Sequence, residues 1–300
     1  MTDPFGGAEA PPTTKGETPP SKIASASAGR PLSFWGASRR VFDLSLGEML
    51  WSRRTIFMAL VVGGPVLLAL IVRVLESFGM PALRVNGQRV GGMGVFGIMI
   101  WMLYLRFAIP ILGVFYGTAL MADEVDDKTI TYLFTRPVPR GAVLVGKYLA
   151  YLACTSLVVL PAVMLAYFLL VRPAEIPATF PQLVTDLGLL FVGLAAYGAL
   201  FAFVGAVFKR PLIIGLVFVT GWEQTAMALP GYMKRFTVAY YLQSLVPHSM
   251  PSDGVVSILQ GMFRDTAPAM VSLFWLGVYV AVFLYLAAKI VDRKEYILEQ

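Results

Sequence analysis

Apolar and polar residues along this chain segregate on the scale of whole helices. Six stretches of mainly apolar residues approach or exceed the roughly 20 needed to cross a hydrocarbon layer. They run over Ile56–Leu75, Val95–Met121, Tyr148–Val171, Leu183–Val207, Leu212–Leu229 and Met270–Ile290. The fifth is the weakest, because Trp222, Glu223 and Gln224 interrupt it. The pattern predicts an all-α integral membrane protein with six transmembrane helices.

Two further stretches change the ends of that picture. Residues 1–33 hold six prolines, four glycines and one aromatic. Such a segment buries too little apolar surface to offset its conformational entropy, so a disordered tail is expected. It has no apolar core of signal-peptide length. Residues 34–54 then place Val41, Leu44, Met49 and Leu50 on one helical face, with Arg39, Arg40, Asp43 and Glu48 largely elsewhere. Trp35 and Trp51 suit the headgroup level, so this reads as an interfacial elbow helix; a helical extension of the first span is the other reading. The remainder, residues 55–300, forms the six-span domain.

Composition agrees with the spans. Hydrophobic residues are 57% of the chain and charged residues 14%, against about a quarter charged in soluble domains. Cys154 and His248 are the only cysteine and histidine. No disulfide framework or His-rich metal site can form within one chain. Six spans put both termini on one side, and Lys and Arg choose it. With the termini inside, sixteen basic residues fall in internal segments and six in external ones. The termini are therefore expected to be cytoplasmic.

The stretch from Gly141 through Gly146 and Lys147 fits the first positions of a phosphate-binding loop, G-x-x-x-x-G-K. A working loop ends in Ser or Thr, for Mg²⁺, and joins a strand to a soluble helix. Here Tyr148 occupies that place, Ala-Val-Leu-Val fills the interior, and a membrane span follows. ATP binding by this chain is not expected. Lys147 suits the inner end of the third span, among phosphate headgroups.

The segment between the second and third spans is more informative. Asp123, Glu124, Asp126 and Asp127 cluster at its start, and a short helix is expected up to Phe134. Pro137 and Pro139 then break it, and a new helix is expected from about Arg140. The chain thus leaves the membrane, forms a short acidic helix, turns and re-enters. The order Glu124, Thr129, Leu133, Thr135, Pro137, Arg140, Lys147 resembles the signature of type-2 ATP-binding-cassette transporter permeases. Lys128 departs from it, standing where that family often has a glycine.

The resemblance implies a permease subunit of an ATP-driven exporter in the bacterial plasma membrane. It would pair with a second copy, as a homodimer, and with two ATP-binding subunits, which would hold the ATP and Mg²⁺; this chain would be no enzyme itself. The 124–140 segment would be a coupling helix seated on the ATPase, with Glu124 and Arg140 as polar anchors and Asp127, Thr129, Leu133 and Pro137 alongside. The elbow helix and cytoplasmic termini also fit that family. Membrane lipid is an expected contact; nucleic acid is not.

Two charges fall within spans. Arg106 and Glu223 each lie about eleven residues in, roughly 16 Å deep, near the midplane. An unpaired ion there is costly. Both are expected to face the protein interior and to lie near each other, within one chain or across a subunit interface; the alternative is that each reaches water separately. Pro65, Pro110 and Pro161 are expected to kink their spans. Two short external helices are expected between the fifth and sixth spans. The second has cap candidates Ser252 and Asp253 and an apolar face from Val255 to Phe263.

Competing functions are an ion-coupled secondary transporter, a membrane-embedded enzyme, and a non-transporting assembly subunit. The first is disfavoured because Glu223 is the one acidic residue deep in a span and no inverted repeat is visible. The second lacks paired catalytic carboxylates or a metal cluster. The third would keep the coupling helix and is not separated by sequence.

Overall fold

The computed structural model describes residues 34–51, 53–79, 84–85, 88–120, 140–228, 232–246 and 267–293. Five helices among them are long and apolar enough to cross a membrane: Thr55–Ser77, Gly92–Gly117, Gly141–Leu170, Ile176–Val207 and Ala269–Asp292. They correspond to the expected first, second, third, fourth and sixth spans. The expected fifth is helical but in three consecutive pieces, Pro211–Val217, Phe218–Glu223 and Gln224–Ala228. Its Trp-Glu-Gln run lowers its hydropathy, so its length and composition alone do not mark it as a span.

The N-terminal helix, Phe34–Leu50, is separate from the first span helix, Arg53–Ser77. Trp51 sits in a turn between them. This favours two helices over one continuous extension. The N-terminal helix packs mainly on the third span helix, Arg140–Leu170. Ser38 Oγ donates to the Ala142 carbonyl at 3.0 Å. Gly146 lets the two backbones meet: a Cβ there would lie 2.6 Å from the Ser38 carbonyl oxygen. The Gly-Lys pair that mimics a phosphate loop therefore sits inside a helix, with its glycine used for helix packing.

Spans three and four form the middle of the bundle. Span one packs on span three, and span six, Ala269–Arg293, packs chiefly on span four. Small residues set the approach. A Cβ at Gly198 would fall 2.1 Å from the Tyr151 ring, one at Gly117 2.8 Å from Phe201 Cβ, and one at Gly205 2.5 Å from the Thr118 carbonyl oxygen. Tyr148 and Tyr151 then turn their hydroxyls onto the Ala195 and Leu194 carbonyls of span four, at 2.9 and 3.0 Å. The outer helices leave large apolar side chains exposed, among them Leu67 and Ile71 on span one and Met270 and Phe274 on span six. Such faces are compatible with lipid.

Local sequence explains the ends of these helices. Pro177 and Pro211 stand in the first turns of their helices, where a missing N–H costs nothing. Span four stops at Phe208, whose backbone is extended. Pro211 then holds Arg210 away from the helical region, as proline does to the residue before it.

One departure from a purely helical fold is small. Arg84–Val85 and Gln88–Arg89 form a two-residue antiparallel ribbon between spans one and two. Past the 211–228 segment come a 3₁₀ turn, Tyr232–Phe236, and a short helix, Val238–Ser244. The latter matches the first expected external helix. The second, over residues 252–263, lies outside the described residues, as do His248, the 1–33 tail and the segment expected to form the coupling helix.

Candidate functional site

Span two is not a uniform α-helix. Residues Met99–Ala108 and Gly113–Gly117 are π-helical, flanking the short α stretch Ile109–Leu112. Pro110 has no N–H for the Arg106 carbonyl, and its ring crowds that carbonyl. A wider turn just before it relieves the crowding. The 211–228 segment has a similar stretch, Phe218–Glu223. There Thr220 Oγ1 donates to the Leu216 carbonyl at 2.7 Å, competing with the backbone for that acceptor.

Both charges expected to lie within spans fall in these wide turns: Arg106 in the first and Glu223 at the end of the second. Short π segments within helices often accompany functional sites. The two side chains line one narrow cavity with Pro110, Tyr197, Gln224 and Gln243. Its volume is about 10 Å³, around the room one water requires.

The two charges use different partners. Arg106 is exposed on the surface of the single chain. Its Nη2 donates to Gln224 Oε1 at 2.5 Å, and its guanidinium lies 5.7 Å from the Trp101 ring centre, a cation–π contact. Glu223 is enclosed by its own chain, at 2% exposure. Its Oε2 accepts the Tyr197 hydroxyl at 2.7 Å. The backbone N–H groups of Val238 and Ala239, at the start of the short Val238–Ser244 helix, face the same carboxylate. Thr237 caps that helix, its Oγ1 accepting from the Tyr240 N–H at 3.3 Å. Four elements therefore meet here: span two, span four, the 211–228 segment and the short Val238–Ser244 helix.

Sequence reasoning identified Arg106 and Glu223 but not Tyr197, Gln224 or the capped helix start. Tyr197 looked like another aromatic in an apolar run. Its role depends on a rotation of span four that composition does not carry. The π turns left one trace in the sequence, Pro110.

The remaining expected site residues belong to the 124–140 segment. Glu124, Asp127, Thr129, Leu133 and Pro137 lie outside the described residues. Arg140 begins the third span helix, as expected from the preceding prolines. Among the described residues no group of three or more His, Cys, Asp or Glu is placed to hold a metal ion. Cys154 is buried within span three.

A family model described as ABC-2 family transporter protein matches residues 35–296. A search of curated proteins found no match.

Proposed function

Because the chain belongs to the ABC-2 transporter family, and is thus a multi-pass membrane subunit of an ATP-binding-cassette transporter, we propose that it is the permease half of an exporter driven by a separate ATPase. The observation that carries this reading is the family match, which runs from the N-terminal helix to the end of span six. In this reading two copies of the chain assemble with two ATP-binding subunits. The 211–228 segment completes a set of six spans, and the termini lie in the cytoplasm of a bacterial cell. ATP and Mg²⁺ stay in the partner.

The 124–140 segment couples the two parts. Glu124, Asp127, Thr129, Leu133, Pro137 and Arg140 rest on the ATPase, and closure of the ATPases moves them. Arg140 opens the long helix of span three. A push there is transmitted along a rigid rod to the glycine-mediated contact with span four, and so to Tyr197.

Arg106 and Glu223 act in the moving part. A guanidinium exposed near the middle of an apolar helix is expensive against hydrocarbon. Arg106 therefore faces protein or water in the assembled transporter, on the side where the second copy and the pathway lie. Glu223 holds the 211–228 segment to span four and to the external helix. The cavity between the two charges lets them approach as the wide turns tighten.

The test is a mild-detergent pull-down of the tagged chain from its native cells, with ATP hydrolysis assayed on the eluate. A co-eluting ATP-binding subunit, lost with Glu124→Arg or Arg140→Glu, supports the reading. A chain that elutes alone, even after crosslinking in intact membranes, overturns it.

A further inference from the structure

Ser38 and Gly146 pin the N-terminal helix to the start of span three. Beside that contact the N-terminal helix, span three and span four border a groove of about 430 Å³. Trp35, Arg39 and Phe42 form one wall, Leu149 and Ala153 of span three the floor, and Phe191 of span four the far side. Trp35, Arg39, Leu149 and Phe191 are all exposed, so the groove opens outward.

Its chemistry is sharply divided. The walls are almost wholly apolar. The Ser38 hydroxyl, which also borders the groove, is committed to the Ala142 carbonyl. Arg39 is the one charged residue among those that line the groove, and it is exposed. Arg40 lies beside it in the sequence, and Asp43 follows one turn on; both are exposed on the same helix. Leu149 and Ala153, four residues apart, carry the floor about 6 Å along span three. An apolar slot with one cationic residue on its lining is complementary to one kind of molecule. It has an anionic head and a long hydrocarbon tail.

We propose that this groove is a binding site for an anionic phospholipid, with an acyl chain along Leu149, Ala153 and Phe191 and the phosphate on Arg39. The choice of leaflet rests on the cytoplasmic orientation proposed above; the site itself does not, and needs no ATPase. A zwitterionic lipid fills the apolar part equally well, but its own ammonium offsets the phosphate charge that would meet Arg39 and Arg40. One cation near a membrane surface is worth about 1 kcal/mol toward anionic lipid, which converts to about a fivefold preference.

The full chain, with Trp51, Trp101, Trp222 and Trp275 replaced by Phe, is reconstituted in nanodiscs containing phosphatidylglycerol or phosphatidylcholine brominated on the acyl chain. Trp35 fluorescence is then read. Half-quenching is expected at about fivefold less brominated phosphatidylglycerol than phosphatidylcholine, the preference one such cation confers. Arg39→Glu abolishes the difference, and Ala153→Phe, which fills the deep end, weakens quenching by both lipids. Equal quenching by the two lipids, or a preference that survives Arg39→Glu, overturns the proposal. If the four-fold tryptophan variant does not fold, native mass spectrometry of the chain with its tryptophans intact reads the same contrast. Phosphatidylglycerol adducts present on the chain and lost with Arg39→Glu support the site. Adducts equally retained by Arg39→Glu refute it.

Discussion

The Tyr197 hydroxyl donates to Glu223 Oε2 at 2.7 Å in the interior of the bundle, tying span four to the 211–228 segment. Both residues are buried, at 0% and 2% exposure. Removing a donor from a buried polar group costs about 1–3 kcal/mol. Tyr197→Phe keeps the ring and its stacking on Phe201 while deleting that donor. It is expected to lower stability by that order. Thermal unfolding in detergent checks this, and a midpoint equal to that of the unaltered chain would show that the bond contributes nothing.

Glycine at position 198 is a packing requirement. The side chain added by Gly198→Ala would meet the Tyr151 ring at 2.1 Å, whereas one added by Gly188→Ala, on the same helix, would meet nothing within 4 Å. Overpacking of a tight contact costs about 1–3 kcal/mol. Alanine in place of an exposed helical glycine instead stabilises by up to about 1 kcal/mol. The two substitutions are therefore expected to shift the melting temperature in opposite directions. Shifts of the same sign would refute the close approach of spans three and four.

The Thr237 cap has a local effect and a more distant one. Thr237→Ala is expected to cost about 1 kcal/mol and to loosen the helix start that faces Glu223. Thr237→Ser keeps the oxygen and restores the cap. Amide hydrogen exchange over residues 238–244 reads the local effect directly. Unchanged exchange in the alanine variant would count against the cap.

Orientation can be tested without function. Glu175 and Lys209 lie at opposite ends of span four. In a chain carrying Cys154→Ala, Glu175→Cys is expected to react with a membrane-impermeant maleimide in intact cells. Lys209→Cys reacts after permeabilisation alone. The reverse pattern would invert the topology and move the 124–140 segment away from any cytoplasmic ATPase.

Arg106 and Gln224 test whether the wide turns matter to transport. The guanidinium–amide contact joins residues 118 apart in sequence. Contacting residues in a polar network show coupling of about 0.5–3 kcal/mol in double-mutant cycles. Arg106→Gln, Gln224→Ala and their combination are expected to be non-additive in partner-dependent ATP hydrolysis. Strict additivity would mean that the two side chains act independently.

Much of this molecule was readable from the order of its amino acids. Crossing a membrane is a property of some twenty consecutive residues, so five spans emerged from local hydropathy, although the helices of spans three and four start seven residues before the expected Tyr148 and Leu183. The 211–228 segment is doubtful as a span by sequence and in the fold for one reason: Trp222, Glu223 and Gln224 oppose its apolar neighbours. The start of span three at Arg140 was likewise written in Pro137 and Pro139, whereas the break between the N-terminal helix and span one was one of two readings the sequence left open. What composition does not carry is rotation. Which way Tyr197 faces, how Gly146 and Gly198 let backbones touch, and where the helix widens to π geometry depend on contacts between residues far apart in the chain. Arg106 and Glu223 share one cavity yet bind different groups, because packing turned Glu223 inward to Tyr197 and left Arg106 on the surface beside Gln224.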